Sequence, residues 1–548
     1  MEKIYIRDAI YDEIPVYRGI EEEIINRWEF QRLRYIKQLQ LTYLVYPSAT
    51  HTRFEHSLGV MHIASNFIDF ILEKPENVSI LKEIAGMKNI SDQGFIRMNR
   101  VIARLAGLLH DIGHGPLGHL FDEEVIPRVM SDKRDLLKKT CFSHEVIGFL
   151  IYWYRLREII RKNLVKHFGE YTDTLMEWLD QVIVPICDNR DSLKYENLFG
   201  IPTSGYGYFL RMIVRDFLYP ADLIDYLVRD SVYTGAVELG LINRNRLMRN
   251  TIPKPRDEII SHLREESGRV VKRLENIRSP VILGISDKII PDILRFLHAR
   301  RLMFENVYLH SAIRAFGWSA VEVLSSDIVW FLTGFSRDLL VKAISNPRDE
   351  QAVNEFLERY LGLTDYILLK AWEQYRSGPL SGYEIGKHLE SIFSYRKPLY
   401  ELVARDIVFA EPVFSITGDL GSRIRDYESS LRDLLEKLIA DKALNRYPDY
   451  KVKIEQIQIY PGSAWVIQGP LIYVVENSIY RPIDIVDFSR IYGLLNIGEI
   501  RLYVWRSEEP SYKDMLKEVF IREIKGNASI RAELKSIISL TTATTVTL

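Results

Sequence analysis

The chain has 548 residues, of which 47% are hydrophobic and 27% charged, a balance that excludes disorder over most of its length and supplies apolar surface for a sizeable core. Lys plus Arg (72) and Asp plus Glu (74) nearly cancel to a net charge of −2, which argues against a nucleic-acid sleeve while leaving room for a local phosphate pocket. Cys141 and Cys187, in unrelated contexts, are too few for a disulfide framework or a Cys-based zinc site, so any metal must be held by His and carboxylates.

The N-terminus is charged from its second residue, and no window offers the roughly 18 uninterrupted apolar residues of a membrane span, so a cytoplasmic protein without a membrane partner is expected. From about residue 20 to 400 amphipathic helical stretches dominate, among them Asn99 to Leu109, Phe142 to Leu156, Ile259 to Leu274 and Arg337 to Leu361. The basic run Lys133 to Lys139 reads as a solvated loop, and nucleic acid is not an expected partner. Near residue 405 the texture changes. A helix with an apolar face is expected over Arg423 to Leu444, then short β-rich runs at Lys451 to Tyr460, Ala464 to Val475 and Glu499 to Trp505, and a Thr-rich end, Thr541 to Leu548, that frays or pairs as an edge strand. The expected fold is mainly α: a large all-helical domain over residues 1–404 and a smaller α+β C-terminal lobe over 405–548.

Seven of the twelve histidines fall between His51 and His144. An apolar helix, Val101 to Leu109, delivers His110-Asp111 at its C-terminal end and is broken at once by Gly113, Gly115 and Pro116. A buried polar pair there needs a partner, and imidazole plus carboxylate suits a divalent metal ion such as Zn, Fe, Mn or Ni. Upstream, the run from Thr52 to Val60 puts His56 in the first turns of a helix beside Arg53. Downstream, a helix opening after Pro220 carries Asp222, Tyr226 and Asp230 along one face at i, i+4 and i+8.

The order His56, His110-Asp111, Asp222 resembles the metal-binding signature of the HD superfamily. With the run Phe30 to Leu39, the segment His110 to Asp122, His144-Glu145 and Asp222 to Asp230, the chain is similar to the SAM-and-HD-domain dNTP triphosphohydrolases. That resemblance implies metal-dependent hydrolysis of deoxynucleoside triphosphates to deoxynucleoside and triphosphate, by water attack at the α-phosphorus. It implies His56, His110, Asp111 and Asp222 as ligands of a divalent ion (Mg, Mn, Fe, Zn or Ni) and His119 or His114 as the proton-transfer group. His144 would face the phosphate, and Asp122 and Glu145 would orient nearby histidines. It further implies Arg53 and Arg300 on the polyphosphate, Tyr226 and Asp230 at the sugar, Gln38 and Leu39 on its 3′ side, and Tyr308 where a 2′-hydroxyl would go. A homo-oligomer, dimer or tetramer, and an effector nucleotide near Gln31 and Arg34 are also implied. Two positions depart from the animal members, Leu223 where they carry a phosphate-binding Lys and Asn26 where they carry an acidic residue, and Asp287-Lys288 with His310 match a second effector pocket only in part. A nucleotidase or phosphodiesterase built on the same metal shell, or a nucleotide-binding regulator, are the alternative readings.

Overall fold

Three helices that cross one another position the histidine-rich segments. Helix α1 (Arg53–Leu72) starts in a capping box, with Thr52 and Glu55 satisfying each other's end of the first turn, and is buried along most of its length. Helix α2 (Asp92–Leu109) is capped by Ser91, whose hydroxyl accepts from Gly94 N at 3.1 Å, and its last turns are buried on all sides. In this computed structural model the described residues are 2–187, 191–263, 268–378 and 385–412, the strand segments 452–459, 471–475, 479–483 and 495–505, and a few residues between 513 and 521.

Helix α1 packs against α2 so closely that a Cβ on Gly107 would lie 2.9 Å from the backbone of Met61. Helix α3 (His144–Ile151) follows Ser143, and α4 (Ala221–Thr234) follows Pro220 and stops at Gly235, whose φ of 75° closes the helix in the left-handed region. Helix α4 also lies against α1, where a Cβ on Gly59 would overlap the Asp225 carboxylate. Helices α5 (Ile290–Met303), α6 (Ser311–Leu324) and α7 (Glu350–Tyr360) complete the surroundings of the site. One continuous apolar core runs from Ile14 to Ile392 through all of these elements.

The mainly helical class stands, with strands at places where the sequence had suggested none. Strands β1 (Lys3–Asp8) and β2 (Asp12–Tyr17) form an antiparallel hairpin at the start of the chain. Strands β3 (Thr251–Pro255) and β4 (Val281–Ser286) pair antiparallel inside the helical stretch. Strand β4 then pairs in parallel with β7 (Leu471–Val475), which pairs with β8 (Ile479–Ile483). A second sheet orders β5 (Tyr400–Pro412), β9 (Leu495–Trp505) and β6 (Val452–Ile459) antiparallel, and its Tyr400 and Tyr503 rings sit edge-on against Trp318 of α6. The apolar run of β4 has no period that tells a buried strand from a buried helix, and β3 carries two prolines.

Some helix boundaries also differ from expectation. The stretch Arg337 to Leu361 is two helices, Arg337–Ser345 and α7, because Pro347 cannot continue a helix and Asp349 caps a new one. The stretch Ile259 to Leu274 is helical over Arg256–Leu263 and Gly268–Glu275, and the residues between them lie outside the described ones. Phe142 belongs to the turn before α3 rather than to the helix. Cys141 and Cys187, read as unrelated, are joined in a disulfide, with Cα atoms 6.1 Å apart across 46 residues of sequence. The helix expected over Arg423 to Leu444 and the Thr-rich end Thr541 to Leu548 lie outside the described residues.

Because the atoms facing Gly107 are backbone, Gly107→Ala forces α1 and α2 apart. The expected cost is about 1–3 kcal/mol, read as a lower thermal midpoint; an unchanged midpoint would show that the helices can yield there.

Candidate metal centre and active site

Crossing α1, α2 and α4 brings together His56, from the first turn of α1, His110-Asp111, immediately after α2, and Asp222, from the first turn of α4. His56 Nε2 lies 3.1 Å from Asp222 Oδ1 and 3.2 Å from His110 Nε2, and His110 Nε2 lies 3.6 Å from Asp222 Oδ1. Asp111 stands at the edge of this group, 3.4 Å from His110 and 3.8 Å from His56, with its Oδ2 also receiving Arg53 Nη1.

The donor set fits a divalent cation on its own chemistry. His110 Nδ1 donates to Gly107 O at 2.7 Å and His56 Nδ1 to Asp225 Oδ2 at 2.8 Å, so in each neutral ring the lone pair is on Nε2, and the two lone pairs face each other beside two carboxylates. Metal–ligand bonds of about 2.1 Å place neighbouring donor atoms about 3.0–3.4 Å apart, close to the spacings found here. Burial lowers His56, but its bonds to Asp222 and Asp225 outweigh that and bring it up to about 10.

Behind His56 runs a buried chain of alternating charge. Asp225 accepts from Arg229 Nε at 2.9 Å, and Arg229 Nη1 donates to Asp8 Oδ2 at 2.9 Å, at the end of β1. Burial opposes ionisation of Asp225, yet Arg229 and His56 hold its carboxyl well below the ordinary range. This support fixes the tautomer and direction of a ligand. The sequence reading did not assign it. The i, i+4 pair Asp225 and Arg229 was a legible signal, whereas nothing in the sequence tied Asp8 to residues more than 200 positions away.

A second cluster gathers His114, His119, Asp122 and His144. Asp122 Oδ2 accepts from both the backbone N (3.1 Å) and Nδ1 (2.7 Å) of His144, capping α3 and aiming its ring. His114 and His144 stack at 3.7 Å, inclined by 17°, and His119 stands edge-on to both at 4.8 and 5.0 Å. Burial, then Arg53 and His144, push His114 well below its usual value, while Asp122 raises His144 against burial. His119 is 53% exposed, at the mouth. Asp111 joins the clusters, its Oδ1 lying 3.3 Å from His114 Nε2.

Glu145 is not brought to a histidine side chain. It is the second residue of α3 and turns to Arg215 (2.9 Å) and Arg211 (3.7 Å), so Asp122 alone orients His144. Among the other expected residues, Arg53 is buried against Asp111 and the backbone of Gly118. Arg300 of α5 approaches Tyr226 OH at 3.3 Å, and the Tyr226 and Tyr308 rings meet edge-on at 6.2 Å. Asp230 accepts from Tyr308 OH and from His51 Nε2, both at 2.8 Å, and His51 stacks on Tyr233 at 4.4 Å. His51, immediately before the capping residue Thr52, is a further residue that the sequence reading did not assign. Gln38 N donates to His51 O at 3.0 Å, and its buried Oε1 has no partner among the described residues; Leu39 packs against the core beside it. Leu223 is buried in the core, so an apolar residue suits that position. In the expected effector region Arg34 donates to Gln31 Oε1 at 2.9 Å and covers the Phe54 ring at 3.5 Å, while Asn26 is exposed. His310 caps α6.

Two outcomes follow from this geometry. Asp225→Asn is expected to weaken divalent-metal binding about 10–100-fold, read as metal retained under chelator competition with helical content unchanged; equal retention would remove Asp225 from the support of His56. Burial alone would raise the Glu145 carboxyl, but Arg215 and Arg211 draw it down to about 2. A depressed carboxyl contributes stability above its unfolded value, about 4.3, and loses it as the pH falls towards the folded one. Glu145→Gln should therefore lower the thermal midpoint at neutral pH, with the gap to the wild type narrowing from about pH 5 to about pH 3.

The HD domain family model matches residues 53–192, which hold every residue of both clusters except Asp222. An uncharacterized protein of Methanocaldococcus jannaschii is 32% identical over 359 residues, 65% of this chain and 56% of that protein. The deoxynucleoside triphosphate triphosphohydrolase SAMHD1 of Mus musculus is 24% identical over 431 residues, 74% of this chain and 57% of the relative. The protein of the same name from Gallus gallus is 41% identical over 153 residues, 28% of this chain and 22% of its own length. The chain thus spans a little over half the length of the first two relatives. The matched stretch, residues 53–192, carries the HD domain and coincides with the histidine clusters.

Proposed function

We propose that this chain is a metal-dependent phosphohydrolase that splits deoxynucleoside triphosphates into deoxynucleoside and triphosphate. The observation that carries the reading is the pair of buried clusters joined by Asp111: a donor set that fits a divalent cation on one side and three imidazoles on the other. The similarity to triphosphohydrolases of that specificity supports the choice of substrate.

Bound by His56, His110, Asp111 and Asp222, a divalent ion supplies a water that ionises near neutral pH and positive charge beside the phosphoryl oxygens. In the reaction the water oxygen bonds to the α-phosphorus, the bond from phosphorus to the 5′-oxygen breaks, and that oxygen leaves with the electron pair and needs a proton. His119, half-exposed and edge-on to both other imidazoles, would give it. His144, held by Asp122 and favouring its protonated form, puts positive charge on the phosphate side, while His114 stays neutral beside it. Arg53 and Arg300 bring guanidinium donors to the polyphosphate. Asp230, with Tyr308 and His51 fixing its two oxygens, offers an acceptor edge for a sugar hydroxyl, and the Tyr226–Tyr308 pair narrows the space beside it. An extra hydroxyl left without a partner there would be disfavoured.

Leu223 supports a second reading, a nucleotidase or phosphodiesterase using the same cation, because the polyphosphate would have one positive group fewer. Assembly into a homo-oligomer under an effector nucleotide at Gln31 and Arg34 belongs to the first reading. A particle whose size is unchanged by every nucleotide tried would remove that part. No described helix is long and apolar enough to cross a membrane.

The deciding test incubates the protein with each of the four dNTPs and with GTP under Mg, Mn, Fe or Ni and resolves the products by anion exchange. Deoxynucleoside with intact triphosphate is the expected result; orthophosphate or a phosphomonoester would transfer the assignment to the second reading, and no product under any condition would leave a nucleotide-binding regulator. Replacing His110 and Asp111 together should abolish both metal retention and turnover. His119→Ala should keep the metal and lose about 10²–10⁴-fold in rate, and a variant turning over at the wild-type rate would exclude His119 as the proton donor.

A further inference from the structure

The loop between the two clusters is held from a distant part of the chain. His114 and His119 lie at either end of a turn in which Leu117 (φ 58°) and Gly118 (φ 53°) are both in the left-handed region, a conformation that a leucine adopts only when its surroundings impose it. Those surroundings are the residues that end α7 and follow it. Tyr360 OH donates to Gly113 O at 2.7 Å. The buried Arg32 guanidinium bridges His114 O and Leu363 O, each at 2.9 Å. Asp365 then accepts Leu117 N at 2.7 Å on one carboxylate oxygen and Lys37 N at 2.8 Å on the other, and its own N–H donates to Tyr35 O at 3.1 Å. Three successive attachments thus pin Gly113, His114 and Leu117, the backbone on which the imidazoles are mounted. The attachment through Lys37 also fixes the turn carrying Gln38, which leads by the Lys37–Thr52 bridge to the start of α1.

We infer that Asp365 is a positioning residue for the His114–His119 loop, setting it and the Gln38 turn at a fixed separation. The inference rests on the proton-transfer role proposed for that loop. Burial pushes the Asp365 carboxyl up to about 6, with the Lys37 and Leu117 amides pulling the other way, so at neutral pH both oxygens are acceptors. An amide at this position keeps one acceptor and turns an N–H₂ towards the second N–H, so one of the two attachments is lost.

The test is hydrogen exchange by mass spectrometry on the metal-loaded full chain, without substrate, comparing wild type, Asp365→Asn and Asp365→Glu at pH 7.5. For Asp365→Asn, peptides covering 113–120 or 35–40 are expected to exchange about ten-fold faster or more, as the loss of one charge-assisted hydrogen bond implies. Peptides from α2 stay protected and metal content is unchanged. Turnover should fall through kcat while KM changes little, and Asp365→Glu should recover part of both readouts. Unchanged exchange in both peptides overturns the inference. So does loss of protection that extends through α2, which would make Asp365 a general support of the fold. Because exchange is read without substrate, a wild type that hydrolyses no nucleotide would count against the proposed reaction and leave the test of Asp365 intact.

Discussion

The structure is organised around an electrostatic demand: two imidazole lone pairs and two carboxylates converge where little water can reach them. The Nδ1 atoms of His56 and His110 are committed to Asp225 and Gly107, so neither ring can turn its lone pair away. Burying such a set without a cation costs several kcal/mol per uncompensated charge, on the order of the whole stability of a domain. The close approach of α1 to α2 and α4, which the missing side chains of Gly107 and Gly59 permit, creates that demand and confines it to one place. Outward from the centre the charges alternate, His56 to Asp225 to Arg229 to Asp8, so that each buried group meets a partner until the chain of contacts reaches the N-terminal hairpin.

Asp111 makes one machine of two clusters. One carboxylate cannot lean fully on the cation side and on His114 while also receiving Arg53, so the state of any of these groups is felt by the others. His114 and His144 show the consequence. Two parallel rings 3.7 Å apart cannot both carry charge cheaply, and Asp122 decides between them by bonding His144 alone. The opposite displacement of the two imidazoles follows from that choice, His144 raised and His114 lowered.

How much of this was legible depended on whether the determinant was local. His110-Asp111 at the end of an apolar helix, His56 behind a capping box and Asp222 after a helix-starting proline were readable because a single helix end announces each of them. Asp225 was in view but unassigned, since one carboxylate on a helix does not say which neighbour it will meet. Glu145 was assigned to the histidines by resemblance, and only the position of Arg211 and Arg215 shows where it turns. Strands β3 and β4 were missed because short apolar runs carry no period, and their partner β7 comes almost 200 residues later. The break at Pro347 could have been read from proline chemistry, which the apolar spacing on either side of it obscured.

The reach of the site beyond its most recognisable stretch has a physical reason. Residues 53–192 contain the two imidazoles of the candidate metal centre, Asp111 and the whole second cluster, yet they lack Asp222, which closes the donor set, and Asp225, which directs His56. They also lack the means to hold Leu117 in a conformation that its own side chain disfavours; Arg32, Tyr360 and Asp365 supply that from both flanks. A histidine motif of this kind sets the chemistry available, and for the reaction proposed above a misplacement of about 1 Å would cost about 10²-fold. The large helical surround is therefore part of the site: it converts a set of suitable side chains into one arrangement, and the long-range contacts are where that conversion is made.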